Sequence, residues 1–277
     1  MTKVALGRYA AVLGRLRHAK DNFVFGADSM WVPDCDVFGV AFSYHHYHLY
    51  PISERDVQAA FGVVRAILSG RDPSKPIDVH CLEAVLLAIH NSFVHLDIHA
   101  HIAGIEFEPT GLPDMPEPAN DPESEPFVHI ALLRLHEQRL SIASVGNFPV
   151  YVVRSTGHEL IFGWDWFSGI YAAGERHFGG ARIAASGDIP NINLWEGEIE
   201  RGDLIVAATP TLPRVIALAK LQDLVSTASC NPRAVDHHLL TTLRSAMSES
   251  PTDSPIDHWE AAWVIACVQG NGKTPTF

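Results

Sequence analysis

The chain has 277 residues, of which 47% are hydrophobic and 19% are charged. This length and composition allow a substantial buried core, so we expect one globular domain over residues 1–277. The net charge of -12 disfavours nucleic acid as a partner, because nucleic acid is itself a polyanion. No stretch has the length and hydropathy of a membrane span, and residues 1–20 do not fit a signal peptide. We therefore expect a cytoplasmic protein that does not bind membranes.

The cysteines give information about metal sites and redox state. Cys35, Cys81, Cys230 and Cys267 are far apart in the sequence and form no CxxC pair. This spacing does not fit a zinc site built from cysteines. It predicts reduced thiols in a cytoplasmic protein.

The first predicted elements are two strands and a helix. Residues 23–43 alternate between apolar and polar side chains and contain turn formers, which predicts two strands joined at residues 33–34. Ser53 and Asp56 resemble a capping box at a helix start. The apolar spacing that follows predicts a helix that ends at Gly70.

A second helix is predicted from Val79 to Ala103, and a loop follows it. The predicted buried face of this helix consists of Cys81, Val85, Ala88, Ile89, Phe93 and Leu96. Residues 108–126 are rich in proline and acidic residues and poor in hydrophobic residues. This composition predicts an exposed loop within the domain.

The second half of the chain alternates between predicted strands and helices. Strands are predicted at residues 127–135, 140–146, 150–155, 200–208 and 261–268. Helices are predicted at residues 212–226 and 232–248, and residues 164–193 are predicted to be rich in loops. The order of the elements predicts an α+β fold in which sheets are covered by segregated helices.

Four segments, in this order along the chain, carry a resemblance to a known family. They are RHAKDN from Arg17, FGVAFSYHH from Phe38, SIASVGNFPVYVVRSTG from Ser141 and RGDLIVAATPTL from Arg201. They resemble motifs of the PPM (protein phosphatase 2C) family of metal-dependent serine/threonine phosphatases. The resemblance covers nearly the whole chain. It implies a β-sandwich of two antiparallel sheets flanked by helices on both sides, an α-β-β-α arrangement.

The resemblance also assigns roles to individual positions. Arg17 falls on the family's phosphate-binding arginine, and Asp21 falls on an acidic position. Phe42, Pro210 and Trp259 fall on three aspartates that bind metal in the family. Their side chains offer no oxygen to Mg²⁺ or Mn²⁺, which need hard oxygen ligands. We therefore expect the two-metal hydrolysis of the family to be lost and no cofactor to be bound.

Histidines beside the degenerate motif leave an alternative open. His45, His46 and His48 lie where the metal-bearing loop of the family falls, and His46 and His48 share one side of an extended segment. Imidazole suits Zn²⁺, and Asp21 and Asp257 could complete the site. The chain would then be an active phosphoprotein phosphatase or hydrolase with an altered metal centre.

A third possibility is an ordinary divergent phosphatase whose ligands are displaced in the sequence. The acids nearest the relevant elements are Asp34, Asp36, Asp203 and Asp257. If these carboxylates converge between the two sheets, they would bind Mn²⁺ or Mg²⁺ as in the family.

The sequence as a whole favours a pseudophosphatase, a catalytically degenerate phosphatase 2C-like protein. We expect it to act as a binding or regulatory module for a protein partner and not as an enzyme. Arg17 would keep an anion pocket without turnover. The aromatic segment 44–50 and the acidic loop 108–126 are the candidate partner surfaces.

Overall fold

The fold is that of a computed structural model, which describes part of the chain. The described residues are 3–6, 9–18, 24–45, 50–72, 75–102, 127–146, 148–154, 156–165, 170–171, 183–184, 189–209, 237, 240–241, 245 and 259–268. The long helices in these ranges are α1 (Tyr50–Ser69) and α2 (Val79–Ile102). The strands there are β1 (Lys3–Leu6), β2 (Tyr9–His18), β3 (Val24–Val32), β4 (Val37–His45), β5 (Phe127–His136), β6 (Arg139–Val145), β7 (Val150–Arg154), β8 (Gly157–Phe162), β9 (Trp164–Asp165), β10 (Ile170–Tyr171), β11 (Ile183–Ala184), β12 (Asn193–Glu198), β13 (Leu204–Ala208) and β14 (Trp259–Val268).

The strands form two antiparallel sheets. The first sheet has the strand order β1-β2-β14-β13-β7-β8, and the second has the order β12-β6-β5-β4-β3. β11 pairs with the start of β5, and β9 pairs with β10. The predicted α+β fold with two antiparallel sheets is confirmed.

The second sheet is buried on both faces. Side chains alternate along β4, so that Phe38 and Val40 enter the core between the two sheets, whereas Val37 and Ala41 enter a second core under the helices. α1 and α2 cover this second core, and α1 contributes Phe61. Burial on both faces explains why β4 and β5 are apolar over almost their whole length.

α1 begins earlier than the sequence predicts. Ser53 and Asp56 lie inside the helix, which starts at Tyr50, so their assignment as a capping box is wrong. Pro51 fits this earlier start, because the first turn of a helix has no use for the missing proline N–H group. The predicted end is confirmed, since the N–H of Gly70 donates to the carbonyl of Ala66 at 3.1 Å after the last helical residue.

α2 has the predicted bounds to within one residue. Val85, Ile89 and Phe93 of its predicted buried face are buried, but the face is centred differently from the prediction. Leu82 and Leu86 are fully buried, whereas the predicted Cys81 and Ala88 are only half-buried. The side chain of Leu96 lies outside the described residues. Apolar residues surround this helix on several sides, so packing against α1 and β6 decides which of them are buried.

Several predicted strand boundaries are corrected by the structure. β1, β2, β8 and β12 were not predicted, and the two-residue strands β9, β10 and β11 fall in the segment predicted to be rich in loops. β13 begins at Leu204 instead of Glu200. The residues before β13 form a turn, in which Gly202 has a φ of 92° and the N–H of Asp203 donates to the carbonyl of Glu200 at 3.1 Å. Residues in a β-turn do not continue the pairing of a strand, so β13 begins only after this turn.

The remaining predictions for the fold fall largely outside the described residues. The loop at 108–126 and the helix at 212–226 lie there entirely. In the helix predicted at 232–248, the four residues that are described are all helical; they are His237, Leu240, Thr241 and Ser245. Among the described residues, no helix combines the length and apolar character needed to span a bilayer.

The cysteines differ in their redox state. Cys35 and Cys81 are free thiols, whereas Cys267 in β14 is disulfide-bonded. The prediction that all cysteines are reduced is therefore wrong for Cys267. Spacing along the chain cannot show which cysteines meet, because that depends on the tertiary fold.

Candidate functional site

The strands that carry the motifs bring their ends together at one end of the sandwich. In the first sheet, β2 ends at His18, opposite Trp259 at the start of β14, and β13 ends nearby at Ala208. In the second sheet, β4 runs toward the same end, where the ring centroids of Phe42 and Phe148 lie 5.4 Å apart. Phe148 precedes β7 of the first sheet, so this contact joins the two sheets. We call this region the site end.

An aromatic cluster of Phe42, His129 and Phe148 occupies the site end. The rings of Phe42 and His129 stack with centroids 4.5 Å apart and an angle of 11° between their planes, and the ring of Phe148 is tilted by 56° to Phe42. Phe148 is fully buried, and Phe42 packs against the same core between the sheets. The cluster is thus an extension of the hydrophobic core, stabilised by ring contacts.

The glycine that follows β6 allows this cluster to form. Gly146 has a φ of 96°, which is rare for residues with a side chain. A Cβ atom at this position would lie 2.6 Å from Nδ1 of His129. Glycine is therefore required both by the backbone conformation and by the close approach of the imidazole.

His129 is the site residue that the sequence analysis missed. It pairs with Phe42 across β4 and β5 and is only 6% exposed. The available signal was its position as a lone polar residue in the apolar strand FVHIALL. That pattern marks a buried histidine, but it does not show which aromatic ring the histidine meets.

Three of the acids proposed as displaced metal ligands lie at the opposite end of the sandwich. Asp34 and Asp36 precede the first residue of β4, which is five residues from Phe42, or about 17 Å along the strand. Asp203 precedes the first residue of β13, whereas the site end lies beyond the last residue of that strand. The proposal that these acids converge between the sheets with Asp257 is therefore wrong for Asp34, Asp36 and Asp203, because strand direction separates them from the site end.

Asp203 has a structural role that explains its position. Its carboxylate accepts hydrogen bonds from Nε and Nη2 of Arg154 at 2.7 and 2.8 Å, and from the N–H of Glu200 at 2.8 Å. The bidentate hydrogen bond to Asp203 is the main cause that raises the pKa of Arg154. The pair fastens β7 to the turn before β13.

For the other proposed site residues, the structure describes the backbone position of some and does not describe the rest. Arg17 pairs with Glu260 in the backbone register of β2 and β14, and His45 pairs with Val24 at the end of β4. The side chains of Arg17, His45 and Trp259 are outside what the structure describes. Also outside it are Asp21, His46, His48, Pro210 and Asp257. Within the described ranges, no group of three or more His, Cys, Asp or Glu side chains could hold a metal ion.

Comparisons with known structures identify the fold. PppA, "a key regulatory component of T6SS in Pseudomonas aeruginosa", matches with a TM-score of 0.62 and 13% identity over 94% of this chain and 98% of that one. The Mycobacterium tuberculosis serine/threonine phosphatase PstP/Ppp matches with a TM-score of 0.64 and 12% identity over 95% and 99% of the two chains. The catalytic domain of PstP in complex with two manganese ions matches with a TM-score of 0.59 and 13% identity over the same shares.

The chain has the PPM-type phosphatase fold. The likeness is one of fold, since the identities are between 12% and 13% for these three structures. No family model and no curated protein matches the chain. Whether the PPM-type fold carries its usual chemistry here depends on the residues at the site end.

Proposed function

We propose that this chain is a pseudophosphatase, which uses the phosphatase fold to bind a partner and not to hydrolyse phosphate esters. The observation that carries the proposal is the aromatic cluster at the site end. Phe42 falls where the family resemblance expects a bridging aspartate, and its ring is stacked on His129 and packed into the core. Two divalent cations at this place would need oxygen ligands and room for water, and neither fits an apolar cluster.

The distribution of carboxylates supports the proposal. Asp34, Asp36 and Asp203 are at the far end, and Asp203 is held by Arg154. Asp28 lies nearer on β3, but its carboxylate accepts a hydrogen bond from Nε2 of Gln58 in α1 at 2.7 Å. It therefore faces the helices and not the space between the sheets, so it is not available as a replacement for Phe42.

A protein partner fits this role better than a nucleic acid or a membrane. PppA, which shares the fold, is named as a regulatory component, and this supports a regulatory use of the fold. The net charge of -12 disfavours a polyanion. We propose that segment 44–50 and the acidic loop 108–126 contact the partner, that Arg17 binds an anionic group on it, and that residues 1–277 form one cytoplasmic domain.

The proposal is tested by metal titration and by a hydrolysis assay on the same preparation. Chelator-stripped protein is titrated with Mn²⁺ in a calorimeter and then incubated with a phosphoserine peptide and Mn²⁺. We expect no stoichiometric heat of Mn²⁺ binding and no turnover. Mn²⁺-dependent hydrolysis that disappears in Arg17→Ala but persists in Arg201→Ala would contradict the proposal. Arg201 is a suitable control because it is exposed in the turn before β13, far from the site end.

The same titration with Zn²⁺ tests the alternative metal centre. In that alternative, His45, His46 and His48 bind the metal with Asp21 and Asp257. Tight Zn²⁺ binding that is lost when the three histidines are changed to alanine would favour the alternative over the pseudophosphatase. The expected result is that wild type and the triple variant behave alike.

A binding assay tests the anion pocket separately from catalysis. We expect the phosphoserine peptide to bind without being hydrolysed, and binding to weaken in Arg17→Ala while remaining unchanged in Arg201→Ala. Equal binding by both variants would remove Arg17 from the proposal but would leave the role of the aromatic cluster intact.

A further inference from the structure

Two free cysteines, Cys35 and Cys81, lie in segments at the end of the second sheet that is remote from the site end. Cys35 closes the 3-10 turn between β3 and β4, and its thiol donates to the carbonyl of Leu68 at the end of α1 at 3.6 Å. Cys81 lies in the first turn of α2. Both side chains are half-buried and pack against the core under the helices.

Arg134 links the segments that carry the two thiols. It pairs with Val37, the first residue of β4, which follows Cys35 by two positions. Its Nη1 donates to the carbonyl of Ile77, which immediately precedes the N-terminal turn of α2. That turn is fixed by the side chain of Asp78, whose carboxylate accepts a hydrogen bond from the N–H of Cys81 at 2.8 Å. The 3-10 turn and the start of α2 are therefore held side by side.

Arg71 places an incompletely satisfied cation beside both thiols. Its Nη2 donates to the carbonyl of Pro76, while its Nη1 is buried and has no hydrogen-bond partner within the part of the chain that the structure describes. A buried guanidinium nitrogen without an acceptor costs free energy. A nearby thiolate would accept its hydrogen bond and would therefore lower that cost. The positive charge of Arg71 lowers the pKa of Cys35 and of Cys81.

Burial acts in the opposite direction and keeps the thiols protonated at rest. Desolvation is the largest cause that raises the pKa of both thiols. The acids beside them, Asp34 for Cys35 and Asp78 for Cys81, raise it further, and a charge on Cys81 raises the pKa of Cys35.

We propose that Cys35 and Cys81 form a thiol–disulfide switch that is oxidised by a small-molecule disulfide such as oxidised glutathione. One cysteine loses its proton, and its thiolate attacks a sulfur of the small disulfide, which releases one glutathione thiolate and leaves a mixed disulfide. The second cysteine then attacks the protein sulfur of that mixed disulfide and releases the second glutathione. Two electrons pass to the small disulfide, and the two protons of the protein thiols end on the two glutathione molecules.

The new bond would join the β3–β4 turn to α2 and close a loop that contains the whole of α1. Such a cross-link stabilises the native state by restricting the unfolded chain. The site lies at the opposite end of β4 from Phe42, about 17 Å away along the strand. The switch is therefore independent of the proposed function at the site end.

The decisive experiment maps the cross-link. The full chain is incubated with oxidised glutathione at mildly alkaline pH, alkylated without reduction, digested and analysed by mass spectrometry. We expect the peptide that contains Cys35 to be joined to the peptide that contains Cys81, and the melting temperature to rise. The variants Cys35→Ser and Cys81→Ser should stop at a mixed disulfide with glutathione. Stable mixed disulfides in the wild type, or no reaction when the denatured chain reacts, would overturn the proposal.

A rate measurement tests the part assigned to Arg71. Loss of the cation lowers the thiolate fraction but raises the nucleophilicity of the thiolate, so each tenfold loss of thiolate slows the exchange by roughly threefold. We expect Arg71→Met to oxidise more slowly to the same final extent, and Arg71→Lys to recover most of the rate. Arg65→Met is the matched control, because Arg65 lies over the ring of Phe61 on α1. Equal rates in all three variants would remove Arg71 from the switch.

Discussion

At the scale of single residues, the site end depends on one glycine. Gly146 has a positive φ, and its hydrogen atom faces Nδ1 of His129 at a distance that leaves no room for a methyl group. We expect Gly146→Ala to lower the free energy of unfolding by more than about 1 kcal/mol, because the backbone becomes strained and the aromatic cluster must move. Urea denaturation followed by tryptophan fluorescence measures the change.

Gly157→Ala is the matched control for this substitution. Gly157 begins β8, and a Cβ atom there would meet nothing within 4 Å. Its change should stay within about 0.5 kcal/mol of the wild type. Equal effects of the two substitutions would show that the close approach of His129 to Gly146 is not what constrains the position.

Asp203 provides a second prediction at this scale. Its side chain is 3% exposed and accepts two hydrogen bonds from Arg154, whose side chain is 35% exposed. We expect Asp203→Asn to destabilise the fold by about 2–3 kcal/mol, since charged hydrogen bonds are lost and a buried group is left poorly paired. The guanidinium stays charged far above neutral pH, so the loss should be the same from mildly acidic to mildly alkaline pH.

Glu159→Gln is the control for the Asp203 variant. Glu159 lies 3.9 Å from Nη1 of Arg154, but its side chain is 67% exposed. An exposed ion pair of this kind contributes little, and we expect a change below about 0.5 kcal/mol. If Mn²⁺ binding, and not stability, changes in Asp203→Asn, then Asp203 is a ligand and its structural assignment is wrong.

At the scale of elements, α1 is held by one face. Leu68 is 2% exposed and packs into the core under the helices, whereas its neighbour Ile67 is 37% exposed. We expect Leu68→Ala to cost about 2–5 kcal/mol of stability, and Ile67→Ala to cost less than about 1 kcal/mol. Chemical denaturation of the two variants compares adjacent positions on one helix. Similar losses of stability in the two variants would mean that α1 does not direct Leu68 into the core and Ile67 toward solvent.

The acidic loop at 108–126 gives a prediction from its sequence alone. It is rich in proline and acid and lies between α2 and β5. We expect deletion of residues 114–124 to leave the melting temperature within a few degrees of the wild type, because loop length changes the closure entropy only slowly. Loss of a cooperative thermal transition would show that the segment packs against the domain. The same variant also tests whether the loop contributes to partner binding.

At the scale of the whole molecule, the number of reactive thiols before and after reduction tests which cysteines are bonded. The chain contains four cysteines, and Cys35 and Cys81 are free while Cys267 is disulfide-bonded. We expect two reactive thiols per chain in denaturant without reductant, and four after reduction. A disulfide is uncommon in cytosolic proteins, so this count also bears on the proposed cytoplasmic location. Four thiols before reduction would contradict the bond at Cys267 and would favour the cytoplasm.

The sequence by itself determined the α+β class, the order of most strands and helices, and the resemblance to the PPM family. These features depend on hydrophobic periodicity and on short motifs, which are properties of neighbouring residues. The predicted strands around residues 33–34 and the long β14 are therefore confirmed. β1, β2, β8 and β12 were not predicted. β1 has only four residues, and β2, although it has ten, begins with the continuous apolar run YAAVL in place of a clear alternation of apolar and polar residues.

Only the tertiary structure decided which side chains meet. The stacking of Phe42 on His129 depends on the register of β4 and β5, and the separation of Asp34, Asp36 and Asp203 from the site end depends on strand direction. The pairing of distant segments is set by packing and register across the two sheets, and no local pattern encodes it. For the same reason, the resemblance to the PPM family could only predict that Phe42 falls on an aspartate position, whereas the fold showed that Phe42 belongs to a hydrophobic cluster.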